Sequence, residues 1–351
     1  MSLFETKNSI RQKDLEELAR EEIFDSFKNQ TILVTGATGL LGSEIVLALL
    51  CANRLKNLNI KVVALLRNIQ KAKKVFSNVI DNPFLEIVEQ DINDSIQYRG
   101  NVDYIVHAAN ITASKDIVSQ PVETAQTTVN GTLNILKFAR EKKVKSFLYL
   151  SSIEIYGQTD ENNADIKENH YGILDPLKMR NVYPLSKKLA ENICISYCAE
   201  YGINTKIARL TQTFGAGISD DESRVFAQFA KSVVEKRDIV LHTDGLSYKN
   251  YCYLTDAVSA MLTILLKGEN SQAYNVADYT SAISVKDMAE MLARKYKLKV
   301  KFDFSANDRG YNDKVVLKLN TEKLERLGWS AKIRLEQMYE RLIDSLEDTA
   351  K

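Results

Sequence analysis

The sequence predicts a doubly wound α/β fold, a parallel sheet with helices on both faces, followed by a smaller, interleaved C-terminal lobe. Short and almost continuously apolar runs alternate with stretches of helical periodicity. Strands that are apolar on both faces are typical of a parallel sheet covered by helices. The runs that predict the sheet are, in order, TILVTG, KVVALLR, LEIVEQD, VDYIVHAA, SFLYLSS and NTKIARL.

Ahead of the first strand, residues 1–29 predict a helical N-terminal extension. The segment mixes acidic, basic and apolar residues at helical spacing and contains no continuous apolar run, so we expect neither a signal peptide nor a membrane span. We expect this extension to pack on the core.

The overall composition favours a small-molecule partner. Lys and Arg number 47 against 46 Asp and Glu, so the chain has no large net charge that would attract nucleic acid or an anionic membrane. The four cysteines lack paired CxxC spacing and the three histidines are far apart, so we expect no metal site. Unpaired cysteines also fit a reducing, cytoplasmic location.

The first strand leads into a glycine-rich turn and then an apolar helix. In TILVTGATGLLGSEIVLALL, the glycines let the backbone approach a diphosphate, and the N-terminus of the helix offers free N–H groups and a partial positive charge. The position of this turn, at the first strand-to-helix junction, predicts dinucleotide binding in a Rossmann arrangement. The predicted binding residues are Gly36, Thr38, Gly39, Leu40, Leu41 and Gly42.

The end of the second strand carries the side chain that faces the adenosine ribose of a dinucleotide. An acidic residue there binds the 2′-hydroxyl of NAD, whereas an arginine accepts the 2′-phosphate of NADP. Arg67 stands at this position. We expect NAD as the cofactor, and Arg67 leaves NADP open, because it either binds such a phosphate, stacks on adenine or is merely solvated. Ala108 and Ala109, after the fourth strand, are small enough for a nicotinamide ribose to pass close to the backbone.

A catalytic group is predicted where the fifth strand ends and in the next helix. YPLSK places Tyr183 and Lys187 four residues apart, hence on one face of a helix. A neighbouring ammonium and a nicotinamide cation favour the phenolate, which predicts a lowered pKa for Tyr183 and a role as a base. Ser152, at the end of SFLYLSS, would hydrogen-bond the substrate hydroxyl that Tyr183 deprotonates.

Beyond the sixth strand, shorter strands mix with amphipathic helices. DIVLHT and QAYNVA alternate with ESRVFAQFAKSVVEK and SVKDMAEMLARKY, and no linker rich in Gly, Pro or Ser separates them from the sheet. We therefore expect residues 30–180 to form the dinucleotide-binding domain. We expect residues 181–351 to contain the end of the sheet, interleaved with a substrate-binding lobe.

The order of these motifs resembles that of the extended short-chain dehydrogenases/reductases of the nucleotide-sugar epimerase/dehydratase family. The likeness spans roughly residues 30–345. It rests on the GxxGxxG spacing and on TGATGLLG, HAAN, VNGTLNIL, SSIEIYG, YPLSK, ARLTQTFG, YCYLTDAV and KLERLGW.

The resemblance implies a set of functional residues and a mode of assembly of two identical chains. It makes Ser152, Tyr183 and Lys187 a catalytic triad, with Tyr183 and Lys187 also contacting the cofactor. It implies that Asp91 and Ile92 hold the adenine edge and that Asn130 supports the cofactor-side helix. Further residues implied to bind the sugar nucleotide or its diphosphate are Arg180, Gln212, Arg224 and Lys249. Helices in PVETAQTTVNGTLNILKFAREK and YPLSKKLAENICISYCAEY would pair in a homodimer.

Within this family, Arg180 and Glu154 are most similar to residues of the UDP-glucuronate decarboxylase and 4,6-dehydratase branches. The chain departs from the family pattern at Ile153, at Gln212, at the GAG that follows Phe214 and at Arg67. On an extended strand, Glu154 would point to the same face as Ser152 and Ile153 to the opposite face.

The resemblance therefore implies an NAD(P)-dependent enzyme that oxidises a nucleotide-diphosphate sugar at C4. We expect Glu154 to act as acid or base in a following epimerisation or decarboxylation. The alternatives are a 4,6-dehydratase, a simple 4-dehydrogenase or 4-keto reductase, and a cofactor-binding regulator without chemistry.

Overall fold

Fourteen strands occur in the computed structural model of the chain, which describes residues 4–159, 165–219, 221–304 and 315–349. They are β1 (Thr31–Thr35), β2 (Lys61–Leu66), β3 (Leu85–Glu89), β4 (Tyr104–His107), β5 (Ser146–Ser152), β6 (Asp165–Ile166), β7 (Thr205–Leu210), β8 (Gln212–Phe214), β9 (Ile239–Leu241), β10 (Tyr248–Tyr253), β11 (Gln272–Val276), β12 (Asp278–Ser284), β13 (Val300–Phe302) and β14 (Val316–Leu319).

The α-helices of the described ranges alternate with these strands. They are α1 (Ser9–Ala19), α2 (Leu40–Lys56), α3 (Ile69–Val75), α4 (Ser114–Ser119), α5 (Pro121–Lys142), α6 (Val182–Tyr201), α7 (Val225–Val234), α8 (Leu254–Lys267), α9 (Val285–Tyr296), α10 (Glu322–Glu325) and α11 (Leu335–Thr349). Short 3₁₀ helices span Glu22–Phe27, Ile153–Tyr156 and Met179–Asn181. Within these ranges no helix combines the length and apolar character needed to cross a membrane.

The larger lobe is built on a seven-stranded parallel sheet in the order β3-β2-β1-β4-β5-β7-β11. The predicted doubly wound sheet is therefore confirmed. Alternation along β1 shows why both faces are covered: Ile32 and Val34 are buried in the core that contains α2 and α8, while Leu33 is buried in the core that contains α5 and α6. The chain leaves β1 for β2 on one side and reaches β4 on the other, so a crevice opens where the strand order reverses.

The smaller lobe contains two further sheets. One has the order β12-β10-β14-β6, with β8 also paired to β10, and the other pairs β13 with β9. Its core packs α7, α9 and α11 around Phe214 and Tyr251. QAYNVA, which we assigned to this lobe, forms β11 instead and pairs in parallel with β7 of the larger sheet. It returns there because α8 crosses back over that sheet, a long-range packing that the local pattern does not encode.

The segment before β1 forms α1 and a 3₁₀ helix. Leu15, Leu18, Phe24 and Phe27 are buried in the core of the larger lobe. Helix α1 packs against α2, α8 and α11.

A buried carboxylate, Asp256 in the first turn of α8, fixes the loop that precedes α11. Its Oδ2 accepts hydrogen bonds from the N–H groups of Lys332 (3.0 Å) and Ile333 (2.9 Å). Burial raises the pKa of Asp256 to about 6, and the two hydrogen bonds only partly oppose this effect. The folded chain therefore keeps Asp256 protonated up to a higher pH than the unfolded chain does.

We predict that Asp256→Asn flattens the pH dependence of stability between about pH 4 and pH 6. Because the pKa of Asp256 is higher in the folded chain than its unfolded value of about 3.9, the protonated carboxyl stabilises the fold at low pH. This contribution, up to about 3 kcal/mol, is lost as the pH rises through about 6. Urea denaturation at several pH values measures the slope, with the exposed Asp116→Asn as control. Identical slopes in wild type and Asp256→Asn would contradict the assignment.

Candidate functional site

A cleft of about 1680 Å³ lies between the two lobes, at the carboxyl ends of the parallel strands. Pockets for one small molecule usually measure about 300 to 1,000 Å³, so this cleft has room for two ligands side by side. Glycine-rich and strand-end segments of the larger lobe line one part of it. Segments around β8, β9 and β10 of the smaller lobe line the other part.

The glycine turn between β1 and α2 is shaped to hold a diphosphate. Gly36 has φ +62°, and a Cβ there would lie 2.7 Å from the backbone of Ala109, while a Cβ on Gly42 would lie 2.4 Å from the carbonyl oxygen of Gly36. Gly39 differs from both: its Cβ would meet only that same carbonyl oxygen, at 3.3 Å. Gly39 is also the N-cap of α2 and makes no side-chain cap, so the first N–H groups of this helix face the cleft uncapped. This cradle fits the diphosphate of a dinucleotide. Thr38, Leu40 and Leu41 line the cleft beside it.

The strand ends that we expected at the adenosine and the ribose also line the cleft. Arg67 is exposed directly after β2, with Lys71 nearby on the cleft wall. Asp91 accepts a hydrogen bond from its own loop, and Ile92 is buried behind it. Ala108 and Ala109 follow β4 and face the cleft.

Asn130 differs from the other predicted residues, because it is exposed on α5 and does not line the cleft. The same helix presents Thr127 to the cleft, and the hydroxyl of Thr128 donates to Oδ1 of the cleft residue Asn110 (3.1 Å). Asn134 donates to the carbonyl oxygen of Ile92 (3.0 Å) and so fixes the adenine-side loop. We did not predict these contacts. The spacing of Thr124, Thr128 and Thr132, four residues apart, is the sequence signal that marks the buried face of α5.

The predicted triad comes together at one wall of the cleft. Ser152 ends β5, while Tyr183 lies in the first turn of α6 and Lys187 one turn later. The ammonium of Lys187 is buried, donates to the carbonyl oxygen of Leu150 (2.6 Å) and lies 4.7 Å from the ring centre of Tyr149. The helix is thereby tied to the strand that carries Ser152.

The protonation of the triad is set mainly by burial. Burial raises the pKa of Tyr183, the Glu154 carboxylate raises it further, and a hydrogen bond with Ser152 lowers it. Burial lowers the pKa of Lys187 to about 7. Our expectation that the Lys187 ammonium lowers the pKa of Tyr183 is therefore wrong for the chain by itself. The Nζ atom lies 5.8 Å from the ring centre of Tyr183 and is directed at the strand carbonyl.

Glu154 lines the cleft, but not for the reason that we predicted. The strand ends at Ser152, and residues 153–156 form a 3₁₀ turn capped by the Ser152 hydroxyl, which accepts the N–H of Glu154 (3.2 Å). The assumption of an extended strand is wrong, and Ile153 lines the cleft as well. The carboxylate of Glu154 forms an ion pair with Arg180 (3.1 Å).

The predicted substrate residues converge from distant parts of the chain. Gln212 on β8 and Lys249 on β10 line the far side of the cleft with Arg224, the N-cap of α7. Burial lowers the pKa of Lys249 to about 8, the Glu154 carboxylate opposes this, and Arg224 adds to it. Arg224 is itself paired with Glu222. This side of the cleft thus offers cations close to the triad.

Known proteins share both the sequence pattern and the fold. A sequence profile of the NAD dependent epimerase/dehydratase family matches residues 32–277. UDP-glucuronic acid decarboxylase 1 of Arabidopsis thaliana is 25% identical over 321 residues, covering 92% of this chain and 71% of that protein. dTDP-D-glucose 4,6-dehydratase of Homo sapiens is 26% identical over 325 residues, covering 86% of this chain and 85% of that protein. UDP-glucuronic acid 4-epimerase from Bacillus cereus, solved in complex with NAD, shares the fold with a TM-score of 0.73 at 20% identity, over 92% of this chain and 100% of that one.

We predict that Gly39→Ala weakens NAD binding at least about tenfold and leaves the thermal midpoint unchanged. Its backbone, with φ −78°, accepts alanine, but the added methyl group occupies space that the diphosphate needs. Calorimetric titration with NAD and a thermal melt measure the two quantities. In contrast, Gly36→Ala lowers the thermal midpoint as well, because φ +62° and Ala109 leave no room for a Cβ. Normal NAD affinity in Gly39→Ala would place the diphosphate elsewhere.

Proposed function

The chain belongs to the NAD dependent epimerase/dehydratase family, and on that premise we propose that it oxidises a nucleotide-diphosphate sugar at C4 and then completes an epimerisation or decarboxylation with the same bound NAD. The resemblance inferred from the motifs is confirmed, and the chain is an NAD-dependent enzyme of the kind that modifies nucleotide sugars. The proposal rests on one wall of the cleft, which carries Ser152, Tyr183 and Lys187 together with the carboxylate of Glu154.

Tyr183 is the residue that receives the proton of the C4 hydroxyl. NAD⁺, when bound, supplies a hydride acceptor and a positive ring charge. In the chain alone burial keeps the phenol protonated, so a positive charge at the nicotinamide end of the cleft is what brings its pKa down. Ser152, which hydrogen-bonds Tyr183, orients the same substrate hydroxyl. Lys187 keeps α6 in place through Leu150.

Glu154 is the group proposed for the second step. A ketone at C4 acidifies the neighbouring C5 position, so a carboxylate that reaches C5 can remove or return a proton there. Glu154 raises the pKa of both Tyr183 and Lys249, which supports a position close to the triad and to the cations proposed to bind substrate. The ion pair with Arg180 orients the carboxylate in the cleft. Relatives named as decarboxylases of a UDP-uronate agree with this role.

Ile153 argues against ordinary 4,6-dehydration, the alternative suggested by the dehydratase relatives. Elimination of the C6 hydroxyl needs a proton donor beside C6. Ile153 does line the cleft, contrary to our first expectation, but an aliphatic side chain donates no proton. We therefore place dehydration below epimerisation and decarboxylation. A simple 4-dehydrogenase or 4-keto reductase, and a regulator without chemistry, are outcomes that the experiments below distinguish.

Arg224 and Lys249 are proposed to bind the diphosphate of the sugar nucleotide. Two positive side chains at one end of a buried cleft complement two phosphate charges. Arg224 reaches a ligand by sharing or releasing Glu222. Arg180 and Gln212 lie closer to the sugar in this arrangement. The nucleotide base and the sugar are identified by mass spectrometry of products from UDP-, GDP-, CDP- and dTDP-sugars, uronates included.

Three further expectations remain proposals. A homodimer is supported by exposed apolar side chains on the paired helices α5 and α6, namely Val122, Leu133, Leu189 and Tyr201. A cytoplasmic location rests on four cysteines that are all free thiols. The exposed Arg67, with Lys71 nearby, leaves room for NADP in addition to NAD.

We predict that Tyr183→Phe binds NAD and sugar nucleotide normally but loses turnover by on the order of 10²-fold or more, because the proton of the C4 hydroxyl has no acceptor. Steady-state kinetics and calorimetric binding measure these effects. Tyr251→Phe is the matched control, since it removes a buried hydroxyl from the same cleft away from the triad. Near-normal turnover of Tyr183→Phe rules out the assignment.

We predict that Glu154→Gln carries out the C4 oxidation but stops before the second step. Reduced cofactor then accumulates, visible by its absorbance, together with a 4-keto sugar detected by mass spectrometry. Asp175→Asn, which removes another carboxylate that lines the cleft, is the control and turns over normally. If Glu154→Gln forms the normal product at the normal rate, Glu154 is a bystander and the 4-dehydrogenase or reductase alternative moves ahead.

A further inference from the structure

Helix α1 of the N-terminal extension touches both lobes. Leu15 and Leu18 are buried in the core of the larger lobe, beside α2. At its other end, the side-chain amide of Asn8 donates to the carbonyl oxygen of Ser345 (2.8 Å), in α11. Helix α11 is part of the core of the smaller lobe. The cleft lies between the two lobes that α1 connects.

Arg11 of α1 reaches the first turns of α2, directly behind the glycine turn. Its Nε donates to the Glu44 carboxylate (2.9 Å), and its Nη2 donates to the hydroxyl of Ser43 (3.3 Å). Arg11 is 11% exposed and Glu44 1%, so this ion pair is buried. Ser43 and Glu44 follow Gly42, the last glycine of the turn that holds the diphosphate. A displacement of the α2 N-terminus therefore moves the atoms to which Arg11 is bonded.

The opposite side of the Arg11 guanidinium packs on a loop of the smaller lobe, residues 215–218. Gly217 has φ +93°, and a Cβ there would lie 2.6 Å from Nε of Arg11 and 2.8 Å from its Cζ. Only a glycine allows the loop backbone to lie this close to the side chain. The loop follows β8, which carries Gln212, and leads toward Arg224.

Asp14, three residues after Arg11 and so on the same face of α1, holds this loop from a second direction. The hydroxyl of Tyr253 donates to the Asp14 carboxylate and accepts the N–H of Ala216 (3.3 Å). Asp14 also pairs with Arg341 of α11. The 215–218 loop is thus linked to α1 through the Tyr253 hydroxyl at Ala216 and packed against Arg11 at Gly217, although none of its residues lines the cleft.

We propose that α1 is an interlobe clasp that couples the glycine turn to the 215–218 loop, with Arg11 and Asp14 as positioning residues. When NAD orders the N-terminus of α2, Ser43 and Glu44 hold Arg11, and Arg11 holds the backbone of Gly217. The contact with Arg11 then determines the position of the segment that carries Gln212 and Arg224. This inference concerns NAD binding and the coupling of two loops, so it stands or falls independently of the sugar chemistry.

The test removes the clasp without leaving a buried charge unpaired. In the full chain, Arg11→Met/Glu44→Leu replaces the ion pair by apolar side chains of similar size, which usually preserves folding. Titration calorimetry gives the NAD affinity, and amide hydrogen exchange with and without NAD reports the order of the 215–218 loop. We expect NAD binding to weaken about fivefold or more. We also expect the protection that NAD confers on residues 215–218 in the wild type to disappear.

A matched control breaks an ion pair between the residues that precede α1 and the far end of α2. Arg54 lies in the last turn of α2, away from the cleft, and pairs with Glu5 (2.9 Å). Arg54→Met/Glu5→Gln should bind NAD like the wild type and retain the protection of the loop. A second variant, Arg11→Lys, keeps the charge opposite Glu44 but lacks the planar fork that contacts Ser43 and Gly217, and it should also lose the coupling.

The proposal is overturned if Arg11→Met/Glu44→Leu and Arg11→Lys both bind NAD with wild-type affinity and retain the protection of residues 215–218. Equal weakening of NAD binding in the Arg54→Met/Glu5→Gln control also overturns it, because α1 would then act only through general packing. Loss of coupling in both Arg11 variants, with the control unchanged, supports it.

Discussion

A buried hydrogen bond from the ammonium of Lys187 to the carbonyl oxygen of Leu150 holds together the wall of the cleft that carries Ser152, Tyr183 and Lys187. It ties helix α6 to the end of strand β5, so that Tyr183, one turn earlier on the helix, faces Ser152, two residues further along the strand. Burial destabilises the charged form of Lys187 and lowers its pKa to about 7. The strand carbonyl and the ring face of Tyr149 partly offset this cost. This polar contact adds to the shared apolar core, in which Ala190 and Cys194 of α6 pack with Phe147 and Tyr149 of β5.

A second buried network supports the cofactor side of the same wall. The hydroxyl of Thr35, at the end of β1, accepts the N–H of Ala109 (3.1 Å) and therefore donates to Nδ1 of His107 (2.7 Å). The other ring nitrogen faces Thr132 of α5 (3.3 Å), whose own proton is donated to a backbone carbonyl. Burial lowers the pKa of His107 to about 3, so the ring is neutral, with its proton on Nε2. This network fixes the backbone against which Gly36 packs.

The two parts of the cleft differ in the groups that they present to a charged ligand. The glycine turn presents backbone N–H groups to one part of the cleft, whereas the side chains of Arg224 and Lys249 line another part. Glu154 also lines the cleft and forms an ion pair with Arg180. The Glu154 carboxylate raises the pKa of Tyr183. The residue that suits the proposed step at C5 therefore opposes the loss of the Tyr183 proton, which the proposed C4 oxidation needs, until positive charge is present in the cleft. The proposed chemistry therefore requires positive charge to enter the cleft before Tyr183 acts as a base.

The sequence by itself determined the parallel sheet, the glycine turn and the pairing of Tyr183 with Lys187, because each depends on local periodicity or on the backbone freedom of glycine. The tertiary structure alone decided the rest. It placed β11 back in the larger sheet, turned Asn130 to solvent and ended β5 before Glu154, so that Ile153 also reached the cleft. It also set the pKa of Tyr183, because desolvation depends on every element packed around the phenol and not on the residue four positions away. The contacts of Asp14 with Tyr253 and Arg341 are of the same kind: they join residues more than 200 positions apart, and no local pattern encodes which partners such side chains meet.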